Sequence, residues 1–317
     1  MPELPEVEIV RRGLAKQIIF KKIDKLIIKK PKLVKQSIEI FRSELIGKEI
    51  VKVGRIGKLL IFSLSKGIGL ESIPENKKTS FSKKEKYLLI HLKMTGQLVY
   101  CDQKEFLVGG HINSKKEEEE FLLLKSSTKN HNCQPGKYTH IIFYFTDGSR
   151  LFFNDLRQFG MLKVVNGAEL KEIKKGYGIE PGQKNFTFEN FKKALTGQRV
   201  GIKVLLLNQS VIAGLGNIYV DESLFFAGIH PERKVDSLDL SEQEKLFLAI
   251  KKVIKKAIEN KGTTFSNFVD SRGRRGGFKK MLRVYGRGGK KCFFCGGVIR
   301  KIKVGGRGTV FCENCQR

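Results

Sequence analysis

Four cysteines near the end of the chain limit what that end can fold into. Cys292 and Cys295, then Cys312 and Cys315, make two Cys-x2-Cys pairs separated by sixteen residues. Paired knuckles at this separation match a closed tetrahedral metal site, in which four thiolates leave no position for water. The intervening stretch holds Gly296-Gly297, Arg300-Lys301-Ile302-Lys303 and Gly305-Gly306-Arg307-Gly308, the pattern of a β-hairpin with a basic face. A hairpin this short cannot bury a core of its own, so one structural zinc ion is the expected cofactor. Disulfides are the alternative. The absence of a signal-like apolar start and the basic surroundings favour reduced thiols in a cytoplasmic chain. Cys101 and Cys133 fall in no such motif and are read as free thiols.

The other end is equally informative. Met1-Pro2-Glu3-Leu4-Pro5-Glu6-Val7-Glu8 leads into a helix whose Val7, Val10, Leu14 and Ile18 share one face. Removal of Met1 would leave Pro2 as a terminal secondary amine. At a helix N-terminus the backbone dipole disfavours an ammonium and lowers its pKa. An α-amino group starts near neutrality, so free amine would be present at pH 7 and could form a Schiff base. Taken alone, these residues are better explained as a proline-rich helix cap.

Charge points to a polyanionic partner. Sixty-one Lys and Arg against thirty-two Asp and Glu give +29, a field that attracts nucleic acid. From Gly262 onward there are fourteen basic residues and two acids. A lysine-rich compositional bias covers runs such as Lys251-Lys252. It covers Arg272-Gly-Arg-Arg275 less well, because Arg beside Gly suits close approach to phosphate. No apolar run reaches membrane-spanning length.

The pattern divides the chain into an α+β multidomain arrangement. Residues 1–165 combine the N-terminal helix with short apolar runs that predict a β-sandwich: Leu26–Ile28, Lys58–Phe62, Tyr87–Ile90, His140–Phe145 and Arg150–Phe153. Polar stretches near 72–86 and 102–137, the second holding Glu117–Glu120, read as surface insertions with little regular structure. Residues 166–186 read as a linker. Helical patterns follow at Phe188–Leu195, Ile202–Leu207, Tyr219–Phe226 and Ser241–Asn260, the last opening on a Ser241/Glu244 capping box. These make a helical domain over 187–284, followed by the zinc-finger hairpin over 285–317. Between two helices, Ala213-Gly-Leu-Gly-Asn217 is a turn whose amides could hold a phosphate or simply join the helices.

Taken together these motifs identify a resemblance. The chain resembles the formamidopyrimidine-DNA glycosylases over nearly its whole length, apart from the insertions. The matching residues are Pro2–Glu8, Gly57-Lys58, His91-Leu-Lys-Met94-Thr95-Gly96 and Asp155-Leu-Arg157-Gln-Phe159-Gly160. They continue in Gly214-Leu-Gly-Asn217-Ile-Tyr219, Lys261-Gly-Thr-Thr264, Val284-Tyr285-Gly-Arg287 and the four cysteines. The resemblance implies a β-sandwich with an N-terminal helix, a helix-two-turn-helix domain and a zinc finger. It also implies a bifunctional DNA glycosylase and abasic-site lyase that excises 8-oxoguanine and formamidopyrimidines from double-stranded DNA, working as a monomer.

Roles follow residue by residue from the resemblance. The Pro2 amine would attack C1′ of an extruded nucleotide, Glu3 would protonate the opening sugar, and Glu6 would be a second acid of the pocket. Lys58 matches the lysine of β-elimination, and Arg307 the phosphate-binding arginine linked to δ-elimination. Met94, Arg157 and Phe159 match the trio that fills the vacated stack, with Arg157 facing the orphaned cytosine. Lys203, Asn217 and Tyr285 match residues at DNA, and residues 262–284 match a loop covering the extruded base. Tyr138 stands where the family has a DNA-contacting histidine, and Gln158 where a basic residue is frequent.

Two other readings compete. An endonuclease VIII-type enzyme on the same fold removes oxidised pyrimidines, but usually has Gly in place of Leu4 and lacks an Arg-Phe wedge. A zinc-containing lesion-binding protein without catalysis would have no reason to keep Pro2, Glu3, Lys58 and Arg307.

Overall fold

The computed structural model describes residues 1–65, 85–102, 134–263 and 277–317, and the backbone alone of 106–111 and 268–269. Glu117–Glu120, Cys133 and most of the expected covering loop lie outside these residues. The chain forms two compact units. One comprises Met1–Pro2, Glu6–Lys174 and Thr263–Gly276, the other Glu3–Pro5, Lys175–Gly262 and Gly277–Arg317.

The first unit is an antiparallel β-sandwich. The strands are β1 (Ile23–Ile28), β2 (Glu49–Ile56), β3 (Leu59–Ser65), β4 (Lys86–His91), β5 (Gly96–Cys101), β6 (Phe106–His111), β7 (Thr139–Phe145), β8 (Arg150–Asp155), β9 (Met161–Asn166) and β10 (Phe268–Val269). One sheet runs β1-β7-β8-β5-β6-β10 and the other β2-β3-β4-β9. Helix α1 (Leu4–Gln17) presents Val7, Val10, Leu14 and the following Ile18 to the core, all 0% exposed. They join Phe62, Leu88 and Ile90 from one sheet and Tyr100, Phe143 and Phe153 from the other in a single apolar cluster. Helix α2 (Ile38–Leu45), capped by the Ser37 hydroxyl, adds Phe41 and Leu45.

Strand β5 lies outside the runs read as strands from the sequence, and like most of β3, β4 and β7 it is buried on both faces. Every residue of Gly96–Cys101 is buried. Val99, Cys101, Ile142 and Phe152 form a second apolar cluster apart from the main core. Two expectations change here. Cys101 is disulfide-bonded and not a free thiol. Phe106–His111, placed within an irregular insertion by its polar neighbours, pairs with β5 as a regular strand.

The stretch 166–186, expected as a linker, contains the boundary between the units at Lys174 and Lys175 and carries regular structure. Gly167–Lys175 is helix α3, started by reciprocal hydrogen bonds: Glu169 N–H donates to Asn166 Oδ1 (2.9 Å) and Asn166 N–H to Glu169 Oε2 (2.8 Å). Further on, Ile179 pairs with Ile212, and a Cβ on Gly178 would lie 2.1 Å from the Val211 carbonyl oxygen. The backbone is therefore docked too tightly there for any side chain.

The second unit holds α4 (Phe188–Leu195), α5 (Ile202–Leu207), α6 (Asn217–Ala227) and α7 (Leu240–Glu259), then the hairpin β11 (Ile299–Val304) and β12 (Arg307–Cys312). Phe186, Phe188 and Phe191 cluster with Phe247 of α7. Helix α6 is the core element, buried continuously from Ile218 to Phe225, and Gly228 ends it at φ +74°. Helix α7 begins two residues earlier than expected. Asp239 is the N-cap and Glu242 completes the box, because an Asp-x-x-Glu and a Ser-x-x-Glu overlap and the aspartate takes the position. Replacing Asp239 with Ala is expected to cost about 1 kcal/mol in urea unfolding. Exposed Ser241→Ala should stay within about 0.5 kcal/mol. The reverse order would restore the cap to Ser241.

Candidate active site

In the first unit, the functional side chains sit on turns whose geometry is set by buried polar groups. The hairpin between β2 and β3 closes at Ile56↔Leu59, so Gly57 and Lys58 are its two turn residues. Gly57 takes φ +53°, the position where such a turn favours glycine. Lys58 follows it and is only 7% exposed, so it is not a solvated surface lysine. Arg55 donates to the Gly57 carbonyl (3.3 Å) and to Glu8 Oε2 (2.8 Å), tying this turn to α1. Pro2 is buried at the start of the chain, and Glu6 accepts the Thr263 N–H at 2.8 Å.

Glu8 also accepts from Arg11 and Arg12. Burial works to raise its pKa, but the Arg11 and Arg12 hydrogen bonds and the Arg55 charge prevail and hold it at about 2. A depressed carboxylate adds stability above its unfolded pKa, and that stability is lost as pH falls through the folded value. Glu8→Gln should therefore destabilise the protein at pH 7, with the gap to native closing between about pH 4.5 and 2 in urea titrations. A pH-independent difference would mean that the ion pairs contribute nothing.

Two further loops are clamped by one aspartate. Asp155, 0% exposed, accepts from the Thr95 hydroxyl through Oδ1 and from Gly160 N–H through Oδ2 (2.7 Å). Thr95 Oγ1 in turn accepts the Arg157 N–H at 3.0 Å. A Cβ on Gly160 would lie 2.5 Å from the Phe153 ring, and one on Gly96 would meet the Leu92 backbone. On this base Met94 and Phe159 stand 36% and 54% exposed, and the Arg157 guanidinium lies 4.7 Å from the Phe159 ring centroid. Large apolar groups held exposed on rigid turns suit insertion into another molecule, not core packing. Gln158 adopts φ +55° between them.

His91, at the end of β4, accepts the Lys93 N–H through Nδ1 (2.9 Å). Burial, then the charges of Lys93 and Lys58, pull its pKa down to about 3, so it is neutral at pH 7. Tyr138 contributes its carbonyl to Asp155 N–H, and its half-buried ring lies 5.9 Å from the Lys137 ammonium.

The second unit builds around the N-terminus of α6. Glu3, 3% exposed, accepts from Ile218 N–H (3.0 Å) and Tyr219 N–H (3.4 Å). These amides lack intrahelical partners and sit at the positive end of the helix dipole. The expectation that this turn's amides hold a phosphate is thus corrected for these two: the chain's own carboxylate occupies them. The glycines make room for it. A Cβ on Gly216 would fall 2.2 Å from the Glu3 carboxyl carbon, and one on Gly214 would strike Leu4.

Lys203 is wholly buried, which its expected place at DNA did not suggest. Its ammonium pairs with Asp221 Oδ1 at 2.5 Å and reaches the Gly308 carbonyl at 3.4 Å. Burial pushes Asp221 up, to about 6, and Lys203 down, and their mutual attraction opposes both shifts. Asn217 Nδ2 also donates to Gly308 O (2.8 Å). Glu222 accepts the amides of Arg283, Val284 and Tyr285, fixing the start of the segment that leads into the finger. Burial and then the Glu3 charge push the Tyr285 phenol up, so it stays protonated.

In the finger, Gly305 and Gly306 both take positive φ, making the tight turn that precedes exposed Arg307. The four cysteine sulfurs lie within 4.8 Å of one another. Sulfurs around tetrahedral zinc stand about 3.8 Å apart for a bond near 2.3 Å. The Cys292–Cys315 and Cys295–Cys312 separations of 3.9 and 3.4 Å fit that cage.

Three family models cover nearly the whole chain. The N-terminal domain of formamidopyrimidine-DNA glycosylase matches residues 1–162, its H2TH domain residues 177–269, and the zinc finger found in FPG and IleRS residues 289–317. A formamidopyrimidine-DNA glycosylase of Heliobacterium modesticaldum is 39% identical over 320 residues, covering all of both chains. The chain belongs to the formamidopyrimidine-DNA glycosylase family. The Lactococcus lactis member bound to DNA with an abasic site superposes with a TM-score of 0.79, at 32% identity over 99% of each chain. A mutant of that protein bound to DNA containing Fapy-dG matches at 0.80 and the same identity over all of both chains. The fold class, the family and the structural zinc site all agree with the sequence-based expectations.

Several groups that shape the site carry no obvious mark in the sequence. Asp155 and Thr95 lie inside matching motifs but look like ordinary turn residues. Asp221 and Glu222 are better flagged: two adjacent acids interrupt an otherwise apolar helical run, and such groups are buried only when partnered. Zinc analysis should return one ion per chain. Cys312→Ser should lower it at least about tenfold, with loss of the hairpin's near-native signature. Full zinc retention would exclude Cys312 as a ligand.

Proposed function

We propose that the protein is a bifunctional glycosylase and abasic-site lyase for oxidised purines in duplex DNA, with Pro2 as nucleophile. The observation that carries this reading is the seating of Glu3, the residue after Pro2, on the α6 amides. An acid held by two backbone donors keeps a defined place beside the amine.

The steps use groups of this chain. After removal of Met1, the Pro2 nitrogen bonds to C1′ of the extruded nucleotide while the glycosidic bond breaks and the base leaves with its electron pair. The Pro2 N–H proton passes to the Glu3 carboxylate, which delivers it to the ring oxygen as the C1′–O bond breaks and the sugar opens. A secondary amine gives an iminium whose cationic nitrogen accepts electrons as the C2′ proton departs and the 3′ phosphate leaves. Lys58 serves that β-elimination. Arg307 draws the second phosphate through δ-elimination, and water then releases the enzyme. Met94 and Phe159 fill the vacated stack, and Arg157 donates two hydrogen bonds to the acceptor edge of the unpaired cytosine. Glu6 and Tyr138 in the first unit, and Asn217 and Tyr285 in the second, take the DNA-binding roles that the family resemblance implies. The protein works as a monomer in the cytoplasm, and none of its described helices is long and apolar enough to cross a membrane.

Borohydride trapping tests the reading, with duplexes carrying 8-oxoguanine opposite cytosine and, separately, thymine glycol. The processed protein should form a covalent adduct on 8-oxoguanine that is lost when Met1 is retained and greatly reduced in Pro2→Gly. A stronger adduct on thymine glycol would favour the pyrimidine-specific enzyme. Tight binding without any adduct would leave only a lesion-binding protein.

A further inference from the structure

Lys203 and Asp221 raise a question that the reaction leaves open. Their side chains are 0% and 1% exposed, so neither meets solvent in this structure. Buried ion pairs add little net stability, because desolvation offsets the attraction, so what this pair holds in place is the more informative property. What this pair arranges is one short piece of β12. Lys203 Nζ and Asn217 Nδ2 both donate to the Gly308 carbonyl, at 3.4 and 2.8 Å. Two residues on, Val310 N–H donates to Asp221 Oδ2 at 3.2 Å. Thr309 between them is 0% exposed, and its hydroxyl donates back to the Arg307 carbonyl at 3.1 Å.

Arg307 is therefore held from both sides. Before it stands the Gly305-Gly306 turn, resting on α5 so closely that a Cβ on Gly305 would lie 2.8 Å from Val204 Cγ2. After it come a carbonyl with two donors and an amide with a carboxylate acceptor. The guanidinium itself is exposed, and its charge is felt at Lys203.

We propose that Asp221 is a positioning residue: by holding the Lys203 ammonium and the Val310 amide it sets the direction in which Arg307 leaves the hairpin. It thereby governs the second elimination without touching DNA. This rests on the role given to Arg307 above. Lys203 is on this view a strut of the hairpin and not itself a phosphate contact.

The test uses the full-length, zinc-loaded protein on a duplex with one abasic site, reading the ratio of δ- to β-elimination product. Borohydride trapping yield, zinc content and thermal melting are measured alongside. Asp221→Asn should lower the δ/β ratio about tenfold, approaching Arg307→Ala, with a smaller change in trapping yield. The double variant should fall no further than Arg307→Ala alone, as for residues acting in one unit. An unchanged ratio in Asp221→Asn, or losses that simply add, would overturn the proposal. Should Asp221→Asn lose zinc or fail to fold, Lys203→Met with Asp221→Leu removes both charges at similar volume. A native product ratio in that variant would overturn the proposal just as firmly, and a ratio like that of Arg307→Ala would support it. Failure of the native protein to trap at all would instead reject the catalytic reading beneath it.

Discussion

The carboxylate of Glu3 at the N-terminus of α6 is the contact on which the most depends. Helix α6 is buried through Phe225, so its first amides cannot turn to water, and an unmet buried amide costs about 1–3 kcal/mol. Glu3 meets two of them from a position 215 residues away in the sequence. The contact satisfies the helix and, by the same hydrogen bonds, gives a fixed address to the residue that follows Pro2. Gly214 and Gly216 are the counterpart of that arrangement, since any side chain at either would occupy the space of Leu4 or Glu3.

The same device recurs throughout the molecule. Glu6 takes the amide of Thr263, Asp155 that of Gly160, Asp221 that of Val310, and Glu222 a run of three from Arg283 to Tyr285. A carboxylate has several lone pairs and can order a stretch of backbone without a matching side chain. Each of these acids is buried, and Asp155 and Asp221 hold backbone next to groups that stand exposed. Met94, Arg157, Phe159 and Arg307 gain their rigidity from groups that never reach the surface. An exposed aromatic or guanidinium on a stiff base loses less entropy on binding than one on a loose loop.

Much of this was legible in the residues. The finger needed four cysteines at metal spacing and a hairpin too small to fold alone, and both are local facts. The strands at Tyr87–Ile90 and His140–Phe145 follow from short unbroken apolar runs, and the helices from Phe188 onward follow from periodicity, which reports the face a segment buries. The start of α7 was displaced by two residues because two overlapping capping signals differ only in which side chain meets the amide. Asn166 and Glu169 carry a helix-start signal, an Asn-x-x-Glu pair, inside the stretch read as a linker.

By itself the sequence determined the architecture, the zinc ligands and the family, because these rest on residue type and spacing along the chain. It placed Met94, Arg157 and Arg307 at turns as well, whereas Lys58, read as the first residue of a strand, proved to be a turn residue. Only the tertiary structure decided that the α6 amides receive Glu3 and not a phosphate. Likewise it alone decided that Lys203 is spent on Asp221 and Gly308, and that Cys101 is not free. These outcomes depend on which polar groups are brought together once water is excluded. A buried donor takes the acceptor that folding places beside it, and that choice is not written in any one segment.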